Sequence, residues 1–159
     1  MLTEAQLLLL KTDIQADPMF VGWFAEEIAQ EYNKPASPAW TVWRTSVTWD
    51  EIMLNGMDWA RVDNLSVGKA RIWDWMFQNA AKSCNPSKAN IRAGIDATWV
   101  GTAADLAVRV SVYTHCKRAA NRIKKLLSTG TGSDASPATM GYEGTINYRD
   151  VEAAINGSY

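Results

Sequence analysis

TAADLAVRVSVYTHCKRAANRIKKLLST, running from Thr102 to Thr129, is the stretch on which the architecture turns. Thr102 followed three residues later by Asp105 is a helix-start signal. Val108, Val112, Cys116, Ala119, Ile123 and Leu126 then recur every three or four residues, as one apolar helical stripe does. Read as one element, the stretch predicts a helix of about 28 residues, roughly 40 Å long at 1.5 Å per residue.

The preceding chain carries the same kind of signal. Thr3 and Gln6 form a capping box for a first helix ending near Ala16. Asp17-Pro18 stops it and opens a second, with Phe20, Trp23 or Phe24, Ile28 and Tyr32 on one side and Glu26, Glu27 and Glu31 keeping part of its surface wet. Two prolines in "NKPASPAW" interrupt the pattern. Trp40–Val47 alternates as an extended segment, with nothing nearby to offer it a sheet. Thr48 and Glu51 open a helix that Gly56 ends or bends. Ser66 opens a stronger one, with Val67, Ala70, Ile72, Trp73, Phe77 and Ala80/Ala81 as its stripe. Asn85-Pro86 caps a segment bearing Ile91, Ile95 and Trp99. The predicted class is mainly α: a helical bundle over 1–129 with one extended Pro/Trp-containing insertion and no internal repeat.

After Thr129 the composition changes. "TGTGSDASPAT" has linker chemistry, small, polar and interrupted by Gly and Pro. "YEGTINY" places Tyr142, Ile146 and Tyr148 on one face of an extended strand, and Asn147 caps a short helix with Asp150 near its start. Residues 130–159 therefore read as a C-terminal arm: a flexible leash over 130–141, then a strand-like and short helical docking segment over 142–156.

Composition narrows the chemistry. The 159 residues fit one domain, and 16 basic against 17 acidic residues leave any basic surface to be local. Eight tryptophans are many for this length and divide between core filling and contact anchoring. The two cysteines, Cys84 and Cys116, with the single His115, make neither a disulfide framework nor a four-ligand zinc site. They read as buried reduced thiols of a chain made in the cytosol. "AQLLLL" near the N-terminus is too short and too closely flanked by Glu4, Lys11 and Asp13 for a signal peptide or membrane span.

Candidate sites are few. His115 and Cys116 point about 100° apart on a helix, so they do not form a nucleophilic pair by themselves. Asp58, Asp63 and Asp74 are scattered. "STGTGS" contains G-x-G but lacks a preceding strand and the P-loop lysine. No catalytic, cofactor or metal residues are expected. Arg118, Arg122 and Lys125 fall on one face of the long helix, flanked by Lys117 and Lys124. Such a cluster suits first a helix C-terminus, where the dipole favours cations, and as the alternative an acidic partner or DNA phosphates bound without sequence specificity.

The run PASPAWTVWRTSVTWDEIMLNGMDWARVDNLSVGKARIWDWMF, continued by NPSKANIRAGIDATWVGTAADLAVRVSVYTHCKRAANRIKKLLSTGTGSDASPATMGYEG, resembles a family of small proteins encoded in the structural-gene blocks of tailed bacteriophages and prophages. "VDNLSVGKARIW", "NPSKANIRAGI" and "TGTGSDASPATM" are its most specific parts. The resemblance implies a virion or assembly role and supplies no catalytic residues. By analogy of plan it points to a head-to-tail connector, or adaptor: a helical protein forming a ring, dodecameric by analogy, below the portal. Tyr142, Ile146, Tyr148, Val151 and Ile155 of the arm would clamp the portal protein. The expected neighbours are further copies of the chain, the portal, tail or nozzle proteins, and genomic DNA contacted non-specifically; no membrane is expected. Such a protein is made in the host cytoplasm and ends at the head–tail junction. A tail-completion or stopper protein, a capsid-associated factor and a non-structural phage regulator are the alternatives.

Overall fold

The structure, a computed structural model, describes residues 1–54 and 56–157. It is mainly α. In chain order come α1 (Glu4–Ala16), a 3-10 turn (Pro18–Phe20), α2 (Ala25–Asn33), β1 (Thr41–Trp43), β2 (Val47–Thr48), α3 (Trp49–Leu54), α4 (Trp59–Asp63) and α5 (Val67–Trp75). There follow β3 (Ser83–Cys84), α6 (Ala89–Thr98), α7 (Ala103–Cys116), β4 (Lys117–Ala119), α8 (Arg122–Leu126), β5 (Ser128–Thr129), β6 (Thr139–Met140) and α9 (Tyr148–Asn156). The strands form three separate pairs: β1 with β4, β2 with β3, and β5 with β6. The extended segment after Trp40 thus finds partners, contrary to expectation.

The chain divides into two compact units, and the boundary differs from the one expected at residue 129. One unit is Met1–Val42 together with the chain from Ala119 onward; the other is Trp43–Arg118. The expected long helix spans that division. α7 stops at Cys116, where Lys117 turns to extended backbone (φ −127°, ψ 160°). The Arg44 N–H donates to the Cys116 carbonyl at 2.9 Å, and its guanidinium donates to the His115 carbonyl at 3.2 Å. The final carbonyls of the helix are thereby satisfied without another helical turn. Asn121 then caps α8, its side-chain oxygen accepting from the Lys124 N–H at 3.1 Å. What reads as one apolar stripe serves two cores: Val108, Val112 and Cys116 enter one, while Ile123 is buried in the other and Leu126 packs partly against it.

In the first unit, the Thr3/Gln6 box starts α1 as its sequence predicts. The second predicted helix is shorter than its stripe. Gly22 adopts φ 84° between the 3-10 turn and α2, so Phe20 and Ile28 reach the core from separate elements. Around them pack Leu10, Tyr32, Ile123 and, from α9, Val151 and Ala154.

The C-terminal arm is not a leash in this structure. Its backbone is laced to β1: the Thr41 N–H donates to the Gly132 carbonyl at 2.7 Å, and the Ala138 N–H to the Thr41 carbonyl at 2.9 Å. The glycines permit close approach rather than mobility. Gly132 lies at φ 64° under Trp40, whose ring occupies the space a Cβ would need, and a Cβ on Gly141 would come within 2.5 Å of the Leu127 carbonyl oxygen. Residues 142–147 form no strand. Ile146 is buried, with its N–H donating to the Asn33 side-chain oxygen (3.1 Å) and its carbonyl accepting from the Asn33 amide (2.7 Å). Asn147 and Asp150 then form the predicted capping box for α9, which packs on α1 and α2. Residues 158 and 159 of the expected arm lie outside the described residues.

The second unit is built around aromatic rings. Trp73 and Trp99 are fully buried and meet edge to face at 5.3 Å, with Phe77 at 5.2 Å and Trp49 at 5.8 Å from Trp73. Neither buried indole N–H has a hydrogen-bond acceptor; edge-to-face packing, positive edges against π faces, offsets part of that cost. The Thr48/Glu51 box opens α3 and Ser66 caps α5. Of the predicted α5 stripe, Trp73 and Phe77 are buried while Val67 and Ile72 are exposed. α6 begins after Lys88 rather than at Asn85, whose side chain accepts instead from the Ser87 N–H and hydroxyl in a local turn.

Candidate interaction surfaces

The cations singled out by spacing do not share one helix. Arg118 lies on β4, and Arg122 and Lys125 on the short α8. Arg122 is committed within its own unit. Its guanidinium donates to Asp17 at 2.8 Å and to Asp13 at 3.3 Å, and lies 4.8 Å from the ring centres of both Phe20 and Tyr32. Burial works against the charge of Arg122, but its hydrogen bonds to Asp17 and Asp13 and their negative charge outweigh it and raise its pKa. The same contact holds the Asp17 carboxyl below its usual range. The Tyr32 hydroxyl is pushed up by burial and by donating to Asp13 at 2.5 Å. Lys125 sits 5.4 Å from the Trp40 ring centre, and its ammonium lies 3.4 Å from the Ser37 carbonyl. A cation held between two carboxylates and two aromatic faces is a structural tie, not a phosphate contact. The sequence spacing could not reveal this, because Asp13 and Asp17 lie more than 100 residues away.

The five arm residues divide sharply. Ile146 and Val151 are in the core, Tyr142 packs partly against it, and Tyr148 and Ile155 are exposed on the outer side of α9.

Cys84 and Cys116 are both free and buried, as expected. Burial raises the Cys84 thiol to about 11; burial, with the neighbouring Cys84 as the second cause, raises Cys116 to about 12. Both are held protonated at neutral pH, where a nucleophile needs the thiolate. Among the described residues no group of three His, Cys, Asp or Glu side chains is placed to hold a metal ion, and no helix is long and apolar enough to cross a membrane.

Both units expose large apolar side chains. Trp75 and Val67, 69% and 77% exposed, border an open groove of about 560 Å³ with Val62, Leu65 and Ala70, rimmed by Asp63, Arg71 and Asp74. Trp59, Leu54 and Val110 are also mostly exposed. In the first unit Val21 and Phe24 project from the bend at Gly22. Sequence reading assigned the tryptophans collectively to core or contact; the structure separates buried Trp73 and Trp99 from exposed Trp59 and Trp75. Comparison with family models, with curated proteins and with solved structures finds no match to this chain.

Proposed function

We propose that the chain is a virion structural protein of a tailed bacteriophage, a head-to-tail connector subunit that assembles as a ring below the portal. The observation that carries the reading is the amount of large apolar surface left exposed on both units, with Trp59, Trp75, Val110, Val21 and Phe24 all more than half exposed. Where such residues gather, as Trp75 and Val67 do along the groove with Val62 and Leu65, the surface suits contact with another protein, and aromatic anchors are the residues that dominate such contacts. The resemblance to phage structural-block proteins supplies the particular assembly.

The portal contact is revised from the arm expected by analogy. A clamp made of Ile146 and Val151 would have to open the first unit's core. Tyr148 and Ile155 on the outer side of α9, and the groove beside Trp75, bind without unfolding anything. Co-expression with the portal protein of the same structural block tests the reading. A stable complex that Tyr148→Ala with Ile155→Glu, or Trp75→Ala, weakens at least tenfold supports it. A chain that never copurifies with portal contradicts it.

A further inference from the structure

One side of α5 mixes apolar and charged residues along a single stripe. Val67, Ala70, Arg71, Asp74 and Trp75 fall at i, i+3, i+4, i+7 and i+8, while Trp73 turns inward to the core. With Val62 and Leu65 they enclose the open groove of about 560 Å³, which lies wholly within the second unit. Other ionic side chains of this unit find partners. Arg44 meets Glu51 at 2.7 Å, Arg109 lies 3.5 Å from Asp96, and Lys69 donates to the Val100 carbonyl at 2.7 Å. The ions of the groove do not. Among the described residues Asp63, Arg71 and Asp74 make no ion pair or side-chain hydrogen bond, with one another or with any other group. The Trp75 ring beside them meets no other ring and no cation among the described residues.

We infer that this groove receives an amphipathic helix of a partner protein, one carrying an acidic and a basic side chain about a turn apart beside its apolar stripe. Charge complementarity selects the occupant. Arg71 calls for an acid and Asp74 for a base, so a ligand of one sign satisfies only part of the rim. Two carboxylates repel the phosphates of nucleic acid and of anionic lipid. A polypeptide brings both charges together with apolar anchors. Its form follows from the walls. The groove runs along one helical stripe and past the end of α4, and a second helix packs on such a stripe with its axis about 8–10 Å away. An extended peptide would need main-chain partners at a sheet edge; the walls here are helices, whose backbone groups bond within themselves. Apolar side chains of the docking helix would seat against Val62, Leu65 and the Trp75 ring, the aromatic anchor of the contact. The exposed charges then set which helix binds more than how tightly. In the proposed connector, on which this rests, the docking helix belongs to the portal protein.

A displayed peptide library tests it: helices of about 14 residues, with leucine fixed along one stripe and the flanking positions randomised among alanine, glutamate and lysine, sorted against the full-length chain. Helices with one glutamate and one lysine a turn apart should be enriched at least about tenfold over helices with two like charges. Arg71→Glu should shift the selection to helices with two lysines, and Asp74→Lys to helices with two glutamates. Neither should move the melting temperature, because both side chains are exposed and unpaired. Trp75→Ala should lose the enrichment and melt with wild type. No enrichment on wild type, or enrichment indifferent to charge, overturns the inference. So does sedimentation with phosphatidylglycerol vesicles, or self-association, that Trp75→Ala abolishes, because a membrane or a second copy would then fill the groove. Portal tells the two readings apart. Charge-matched enrichment with portal binding untouched by Asp74→Lys keeps the helix site and removes portal as its occupant. Portal binding without enrichment keeps the connector reading and overturns the helix site.

Discussion

Ile146→Ala separates an integral C-terminal segment from a detachable one. The side chain is 3% exposed, packed in the core of the first unit, and its backbone is clasped by Asn33 through two hydrogen bonds. Truncating a buried isoleucine to alanine costs about 2–5 kcal/mol, the lost transfer energy plus the cavity left behind. A domain has a total stability of roughly 5–15 kcal/mol, so the substitution removes a large share of it. For a unit of this size each kcal/mol moves the midpoint by about 4–8 °C, which puts the expected drop at roughly 8–40 °C. Tyr148→Ala, on the same segment but 44% exposed, should cost less than about 1 kcal/mol. Calorimetry gives both midpoints, and hydrogen exchange should show α1 and α2 amides losing protection together with α9. If Ile146→Ala melts with wild type, or a chain truncated after Thr129 keeps full protection in α1, the segment is a leash after all and the packing argument fails.

Other outcomes follow from single contacts. Gly132→Ala, adding a Cβ against the Trp40 ring at a positive φ, should destabilise by about 1–3 kcal/mol and shift tryptophan emission. Arg122→Lys should lose the forked contact with Asp13 and Asp17 and the stacking on Phe20 and Tyr32, costing about 1–3 kcal/mol despite the retained charge; a denaturant titration measures it, and an unchanged midpoint would refute the tie. Acid should weaken the fold. The carboxyls of Asp17, Glu51 and Asp105 are held below their ordinary values by hydrogen bonds from Arg122, Thr48 and Thr102 respectively. Groups depressed in the folded state contribute their stability above the unfolded pKa and lose it as pH falls through the folded one. Melting temperatures should therefore be flat above about pH 5 and decline below it, a slope that Glu51→Gln should reduce.

Local signals were legible in the sequence where they depend on residues three or four apart. The caps at Thr3, Thr48, Ser66, Thr102 and Asn147 all appear where the side-chain types place them. Long-range competition was not legible. The stripe through Cys116 continues in periodicity, yet Arg44, far off in sequence, takes the last carbonyls of α7 and the next apolar residues enter a different core. Glycine-rich composition in 130–141 reads as freedom, but Gly132 and Gly141 are there for contact with Trp40 and Leu127. Four consecutive leucines, Leu7–Leu10, cannot all face one core, and Leu8 and Leu9 point away from it.

The central claim, a connector subunit at the head–tail junction, is tested most directly by counting copies of this chain in purified virions by quantitative mass spectrometry. The account predicts one ring's worth per particle, about a dozen by analogy with head-to-tail connectors, and density at a single vertex. Absence from the virion, or hundreds of copies spread over the capsid shell, would contradict it.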